Sequence, residues 1–349
     1  MRIPLLFSMV VLLVIALTPL MRKLAAKLGM LDVPGGRKIH SEATPLLGGL
    51  AIYLGFLAGI LLRFHSLIIY LPIFISASFI MIVGLIDDYK GLSATSRMVC
   101  QLLAALFIIY FGFRVSFIPS GFLKDPIEVL ITLIWILGVT NAYNYLDGLN
   151  GLAPGSAILN LFCFWSILNS TKQYALELVV ITLLGACLGF IFYNNPRKAN
   201  IFLGDAGSTF LGFMLASISL MGDWASNDMV KLSIPILILG VPIFDMIFTT
   251  VMRIREEKIK TIVEWLRYGG RDHFHHYLVD LGLLPSGAVI FIYFVTLSLG
   301  ISAIMISNDM EAWLTLSQST IIFGVIATLM VVGKRRHSGW RRQESNGKK

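Results

Sequence analysis

The stretch NAYNYLDGLNG, residues 141–151, sets Asn141, Asn144, Asp147 and Asn150 three residues apart at the end of an apolar run. Asn144 and Asp147 are i, i+3 and would share a helix face, while Gly148 and Gly151 let the chain turn or approach a ligand closely. Amide and carboxylate oxygens suit a hard cation such as Mg2+. The structural alternative is hydrogen bonding between helix ends, a known use of Asn in membranes. Asp87 and Asp88, in GLIDDYKGLSATSR (84–97), close another apolar run. Adjacent helical residues point about 100° apart, so one carboxylate can face a metal or phosphate and the other a different partner. The alternative is a solvated helix end beside Lys90.

Asp205, in NNPRKANIFLGDAGS (194–208), is either a metal-bound carboxylate flanked by Gly204 and Gly207 or the cap of the helix that follows. RYGGRDHFHHYL (267–278) offers His273, His275 and His276 beside Arg271. Imidazoles favour zinc, but neither a cysteine nor a well-spaced fourth ligand accompanies them. Arg and His in this grouping bind phosphates more readily, and His changes charge near neutral pH. Lys38 in DVPGGRKIH (32–40), Arg97 and Lys198 add cationic groups. Oxygen ligands, an acid pair and cations together are what phosphoryl transfer needs: charge neutralisation and positioning. No P-loop and no GxGxxG is present, so a nucleotide would be held in another way.

The elements that position these residues are apolar. The 349-residue chain is 56% hydrophobic and 14% charged, against about 25% charged in soluble domains. Its apolar blocks are long enough as helices to cross a hydrocarbon core of about 30 Å. The fold class expected is an all-α polytopic membrane protein with about eleven transmembrane helices. The spans lie near 3–20, 46–63, 67–86, 98–113, 127–146, 152–169, 174–193, 206–222, 230–251, 287–306 and 313–332. Residues 3–20 read as a first span and not as a removed signal. Residues 1–333 form one integral-membrane domain and 334–349 a basic tail. Of the 28 Lys and Arg, 22 fall on one set of alternate loops, which places the N-terminus outside and the C-terminus in the cytosol. All five polar segments then share the cytosolic face. The net charge of +8 belongs to that asymmetry and to contact with membrane lipid, not to nucleic acid. Cys100, Cys163 and Cys187 sit in apolar blocks, without disulfide or zinc spacing. In EEKIKTIVEWLRYGG, Ile259, Ile262, Val263 and Leu266 make one apolar helical face, for the membrane interface or for packing on the bundle. A transporter is the competing class, since transporters place ionisable groups on broken helices near the bilayer centre. Asp245, behind Pro242, lies within a span, but it is nearer the cytosolic end.

These segments resemble the polyprenyl-phosphate N-acetylhexosamine-1-phosphate transferases, in particular the bacterial undecaprenyl-phosphate GlcNAc-1-phosphate branch. The match runs from DVPGGRKIH…TPLLGG through GLIDDY, NAYNYLDGLNGLAPG and IFLGDAGSTFLG to RDHFHHYL, and HxHH is the GlcNAc-type pattern. The resemblance implies a Mg2+-dependent enzyme of the bacterial cytoplasmic (inner) membrane, with Mn2+ an expected substitute. A HexNAc-1-phosphate unit would move from a UDP-sugar to undecaprenyl phosphate, opening cell-envelope glycan synthesis. Asp205 matches the principal metal ligand and Asn144 the amide assisting it. Asp87 and Asp88 match the catalytic acid pair at the lipid phosphate, and Arg97 a phosphate-binding position. Asp147 and Asn150 match nucleotide-site positions; Asn141 and Lys38 belong with them. Arg271, His273, His275 and His276 match the loop on the sugar phosphates. A homodimer is an assembly open to such a chain. Two departures bear on the choice of sugar: position 91 is Gly where DDxxD has a third acid, and Asn150 stands where DGxDG has Asp. GalNAc, a deoxy-amino sugar or muramoyl-pentapeptide are the alternatives.

Overall fold

The computed structural model describes residues 3–32, 43–116, 121, 123–261, 264–265, 268, 270, 272–307 and 312–346, with side chains at 315 and 317–333 but none beyond 333 in the last segment. Nearly all of it is helix. In chain order these are α1 (Ile3–Leu28), α2 (Gly48–Leu61), α3 (Leu71–Lys90), α4 (Ala94–Tyr110), α5 (Lys124–Leu146), α6 (Leu152–Thr171) and α7 (Tyr174–Ile191). There follow α8 (Gly204–Met221), α9 (Asp228–Ile238), α10 (Gly240–Arg255), α11 (Phe274–Asp280), α12 (Pro285–Ser307) and α13 (Ala312–Asn346). A two-residue antiparallel ribbon, Leu31–Asp32 with Thr44–Pro45, is the one sheet among the described residues.

Every apolar block of the sequence is helical. Six helices are long and apolar enough to cross a membrane, seven if α9 and α10 are one broken span. The single span expected at 230–251 is in fact this pair, bent by 80° at Leu239. Pro235 removes a backbone donor inside α9, and Pro242 is tolerated in the first turn of α10, where no intrahelical bond is lost. α13 runs on through the basic tail to Asn346.

Small residues set the centre of the bundle. α8 is buried along nearly its whole length. A Cβ added to Gly49 on α2 would lie 2.2 Å from the Gly207 Cα, and one on Gly84 of α3 would lie 2.3 Å from the Ala206 Cα. A Cβ on Gly212 would meet the Thr140 Cα of α5 at 2.8 Å. Three helices therefore approach α8 backbone to backbone, the way helices associate where lipid tails compete with apolar side chains. Phe210 fills the space between, edge-on to Tyr53 and Phe56.

Candidate active site

α8 begins where the ribbon ends. Phe202 N donates to Pro45 O, and Gly48 N and Gly49 N donate to Phe202 O and Leu203 O. Gly204 then takes φ +78°, a left-handed turn open to Gly at little cost, and turns the chain into the helix. The first amides of a helix lack intrahelical partners and carry its positive end. Here Asp88 satisfies them: its Oδ1 accepts from Asp205 N at 2.8 Å and its Oδ2 from Ala206 N at 3.1 Å. The alternative that Asp205 caps its own helix is corrected, because the cap comes from α3, 117 residues away. Asp205 lies inside the first turn with its side chain 46% exposed. Its Oδ1 accepts from Asn144 Nδ2 at 2.9 Å, and that amide also donates to Ser208 Oγ. Its Oδ2 faces Arg97 at 3.4 Å.

Asp87 points elsewhere, as adjacent helical positions must. Its side chain is 6% exposed; Oδ1 accepts from Leu92 N and Oδ2 from Arg97 at 3.1 Å. Arg97 therefore bridges Asp87 and Asp205. The Asn144–Asp147 turn is pinned behind: Gly151, at φ +77°, donates to Asn194 Oδ1, and its carbonyl accepts from Tyr293.

These elements surround one open cavity of about 540 Å3, lined by Asp32, Asp87, Asp88, Asp147, Asn150, Asp205 and His276 among others. Asp147 is just beyond the end of α5. Burial, with the Asp205 and Asp88 charges adding, pushes its carboxyl from the usual 3.8 up to about 8. Among the described residues no three of His, Cys, Asp and Glu form a closed metal cage.

Other expected site residues stand apart from the cavity wall. Asn141 donates to Gln101 Oε1 and Leu137 O, tying α5 to α4. His273 and His275 are buried, and His275 Nε2 would lie 2.1 Å from a Cβ on Gly148. Lys198 lies on a second groove, of about 690 Å3, with Arg22 and Lys23. Lys38 and Arg271 lie outside the described residues, as do Ile262, Val263 and Leu266. Of the expected amphipathic segment, Ile259 is buried and Trp265 donates to Thr250 of α10, so the described part packs on the bundle. Residues not singled out in the sequence, Asp32, Gln101, Asn194, Arg253, Asp272 and Tyr293, hold or line the site. Asp32, Asn194 and Asp272 sat in recognised motifs; a buried Arg has no local signature.

An apolar helical bundle that opens such an acidic, amide-braced cavity at one end has the make-up of an integral-membrane enzyme handling phosphates. Comparison makes the class specific. The profile of glycosyl transferase family 4 matches residues 70–223. Over 340 residues the chain is 34% identical to a Bacillus subtilis protein named as a probable undecaprenyl-phosphate N-acetylglucosaminyl 1-phosphate transferase, covering 95% of this chain and 92% of the relative. It is 30% identical to the decaprenyl-phosphate N-acetylglucosaminephosphotransferase of Mycobacterium tuberculosis, with 90% and 85% covered. The undecaprenyl-phosphate alpha-N-acetylglucosaminyl 1-phosphate transferase of Escherichia coli K12 is 26% identical, with 78% and 75% covered. The chain belongs to glycosyl transferase family 4, among its polyprenyl-phosphate N-acetylglucosamine-1-phosphate transferases.

Proposed function

We propose that this protein transfers N-acetylglucosamine-1-phosphate from UDP-N-acetylglucosamine to undecaprenyl phosphate, releasing UMP. The observation that carries the reading is the meeting of Asp87, Asp88, Asp147, Asn150, Asp205 and His276 around one cavity, from segments far apart in sequence. An oxygen of the acceptor phosphate attacks the phosphorus that bears the sugar. A new P–O–P linkage forms, and the bond to the uridine-bearing phosphate breaks. A phosphomonoester has its second pKa near 6, so the attacking oxygen is already an anion at neutral pH and needs no base. Asp87 and Asp88 then act by geometry: one holds Arg97, the other holds the start of α8. Arg97 and His276 face the phosphates, and Asp147 and Asn150 face the nucleoside. Asn150 can donate to and accept from a uracil edge. Lys38 and Arg271 are assigned to the phosphates by the family motif.

Mg2+ fits this donor set. Asp205 offers an open carboxylate, Asn144 keeps its Oδ1 while its Nδ2 is engaged, and the absence of a closed cage among the described residues suits a cation that keeps waters and takes substrate phosphates. Bound there, Mg2+ would neutralise charge developing on the diphosphate, and Mn2+ shares its preference for carboxylates. The reading includes about eleven spans, an outer N-terminus and a cytosolic site in the bacterial inner membrane, supported by 22 of 28 basic residues on the site-side loops.

Purified protein with Mg2+, polyprenyl phosphate and a panel of UDP-sugars is expected to release UMP with UDP-GlcNAc. Stoichiometric UDP would mean a plain glycosyl transfer and end the proposal; a preference for GalNAc or muramoyl-pentapeptide would move it to another branch. A second expectation follows from Asp147. Its proton is held more tightly folded than unfolded, so metal-free stability should fall as pH rises from 3.8 to about 8. Mg2+ binds the ionised cavity and should raise the melting temperature far more at pH 8.5 than at pH 5.5. An equal Mg2+ effect at both pH values would refute this account of the cavity.

A further inference from the structure

α10 carries Asp245, Thr249 and Arg253 four residues apart, on one helix face. Each is buried and each holds a successive part of the histidine segment. Arg253 meets Asp272 through two bonds, Nε at 2.8 Å and a terminal nitrogen at 2.6 Å, and lies over the Tyr268 ring. Although burial pushes the Asp272 carboxyl up, the Arg253 bonds and charge hold it below its usual value. Thr249 Oγ1 donates to Asp272 O at 3.2 Å. Asp245 Oδ1 accepts from Phe274 N at 2.7 Å, and its Oδ2 meets His273 Nδ1 at 2.9 Å.

The other ring nitrogen of His273, Nε2, faces an Arg253 nitrogen at 3.3 Å. A guanidinium only donates, so Nε2 must accept, and the proton must sit on Nδ1, facing Asp245. His273 is thus held with both ring nitrogens engaged, stacked on Tyr145 at 5.0 Å. Beyond it, His275 seats against Gly148, next to Asp147, and His276 reaches the cavity.

We propose that Asp245, Thr249 and Arg253 form a positioning clamp that makes His273 a structural residue and sets His276 for the diphosphate of the donor. The proposal rests on the reading of the cavity given under Proposed function. It removes the first histidine of HxHH from the phosphate-binding set.

Asp245→Asn leaves one acceptor oxygen where two are needed. In the full-length protein it is expected to raise KM for the UDP-sugar about tenfold and to leave KM for polyprenyl phosphate within about twofold. The double variant Asp245→Asn/His276→Ala should be no worse than His276→Ala alone, since residues linked through one hydrogen-bonded unit are non-additive. Independent, additive losses, or equal damage to both substrates, would overturn the clamp. Arg253→Lys, which cannot make the bidentate pair, gives a milder form of the same test. Hydrogen exchange supplies a readout without substrate: amides 272–276 should exchange at least tenfold faster in both variants, with the transmembrane helices unchanged. Unchanged exchange there overturns the proposal. If wild type released no UMP but the exchange result held, the functional reading would fail and the clamp would stand.

Discussion

Asp205→Asn is expected to lower turnover by about a hundredfold or more while leaving the melting temperature within a few degrees of wild type. The change keeps size and shape and removes one negative charge from the proposed Mg2+ site. Losing a principal ligand in phosphoryl transfer costs several kcal/mol of transition-state stabilisation, and each 1.4 kcal/mol is about tenfold in rate. Stability should survive because the start of α8 is capped by Asp88 and not by Asp205. Raising Mg2+ should recover part of the rate. Activity against Mg2+ concentration, beside thermal denaturation in detergent, makes the measurement. Near-normal turnover at low Mg2+ would remove Asp205 from the metal and pass the role to Asp147.

Asp88→Ala is expected to damage both quantities at once. It leaves the Asp205 and Ala206 amides without their acceptor, at a cost of roughly 1 to 3 kcal/mol for a buried group left unsatisfied. The first turn of α8 would shift with Asp205 on it, so turnover should fall as far as in Asp205→Asn. Asp88→Asn keeps one acceptor oxygen and should recover part of both. The alternative, that Asp88 is a base for the lipid phosphate, predicts for Asn the same partial return of stability but turnover as low as in Ala. Melting temperature and UMP release for the three proteins decide between them.

Much of this site could be read from the chain. Apolar runs mark every long helix, and the alternation of loops puts Asp87, Asp88, Asp147, Asn150, Asp205 and His276 at one end, where the structure brings them together. What stayed hidden depends on which way a side chain turns after the helices pack. Nothing near Asp205 shows that its helix is capped from α3. Asn141 is in phase with Asn144, yet its amide is bonded to Gln101 of α4. Asp245 looked like an isolated acid within a span, the feature a transporter would need. It is committed to His273 and Phe274, residues 28 and 29 positions on. The break of the ninth expected span was written in Pro235 and Pro242, but an apolar run across them hid it.

The borrowed cap has a consequence for how the chain is made. At about 5 to 20 residues per second, a ribosome would take on the order of 6 to 23 s to pass from Asp88 to its partner amides. Throughout that interval the carboxylate has no acceptor role to fill, and in hydrocarbon it would be costly. Its position at the last turn of α3 lets it wait in water. The start of α8 stays unfinished until the nascent chain delivers it to a helix already in place, so this end of the site is completed by the order of synthesis as well as by packing.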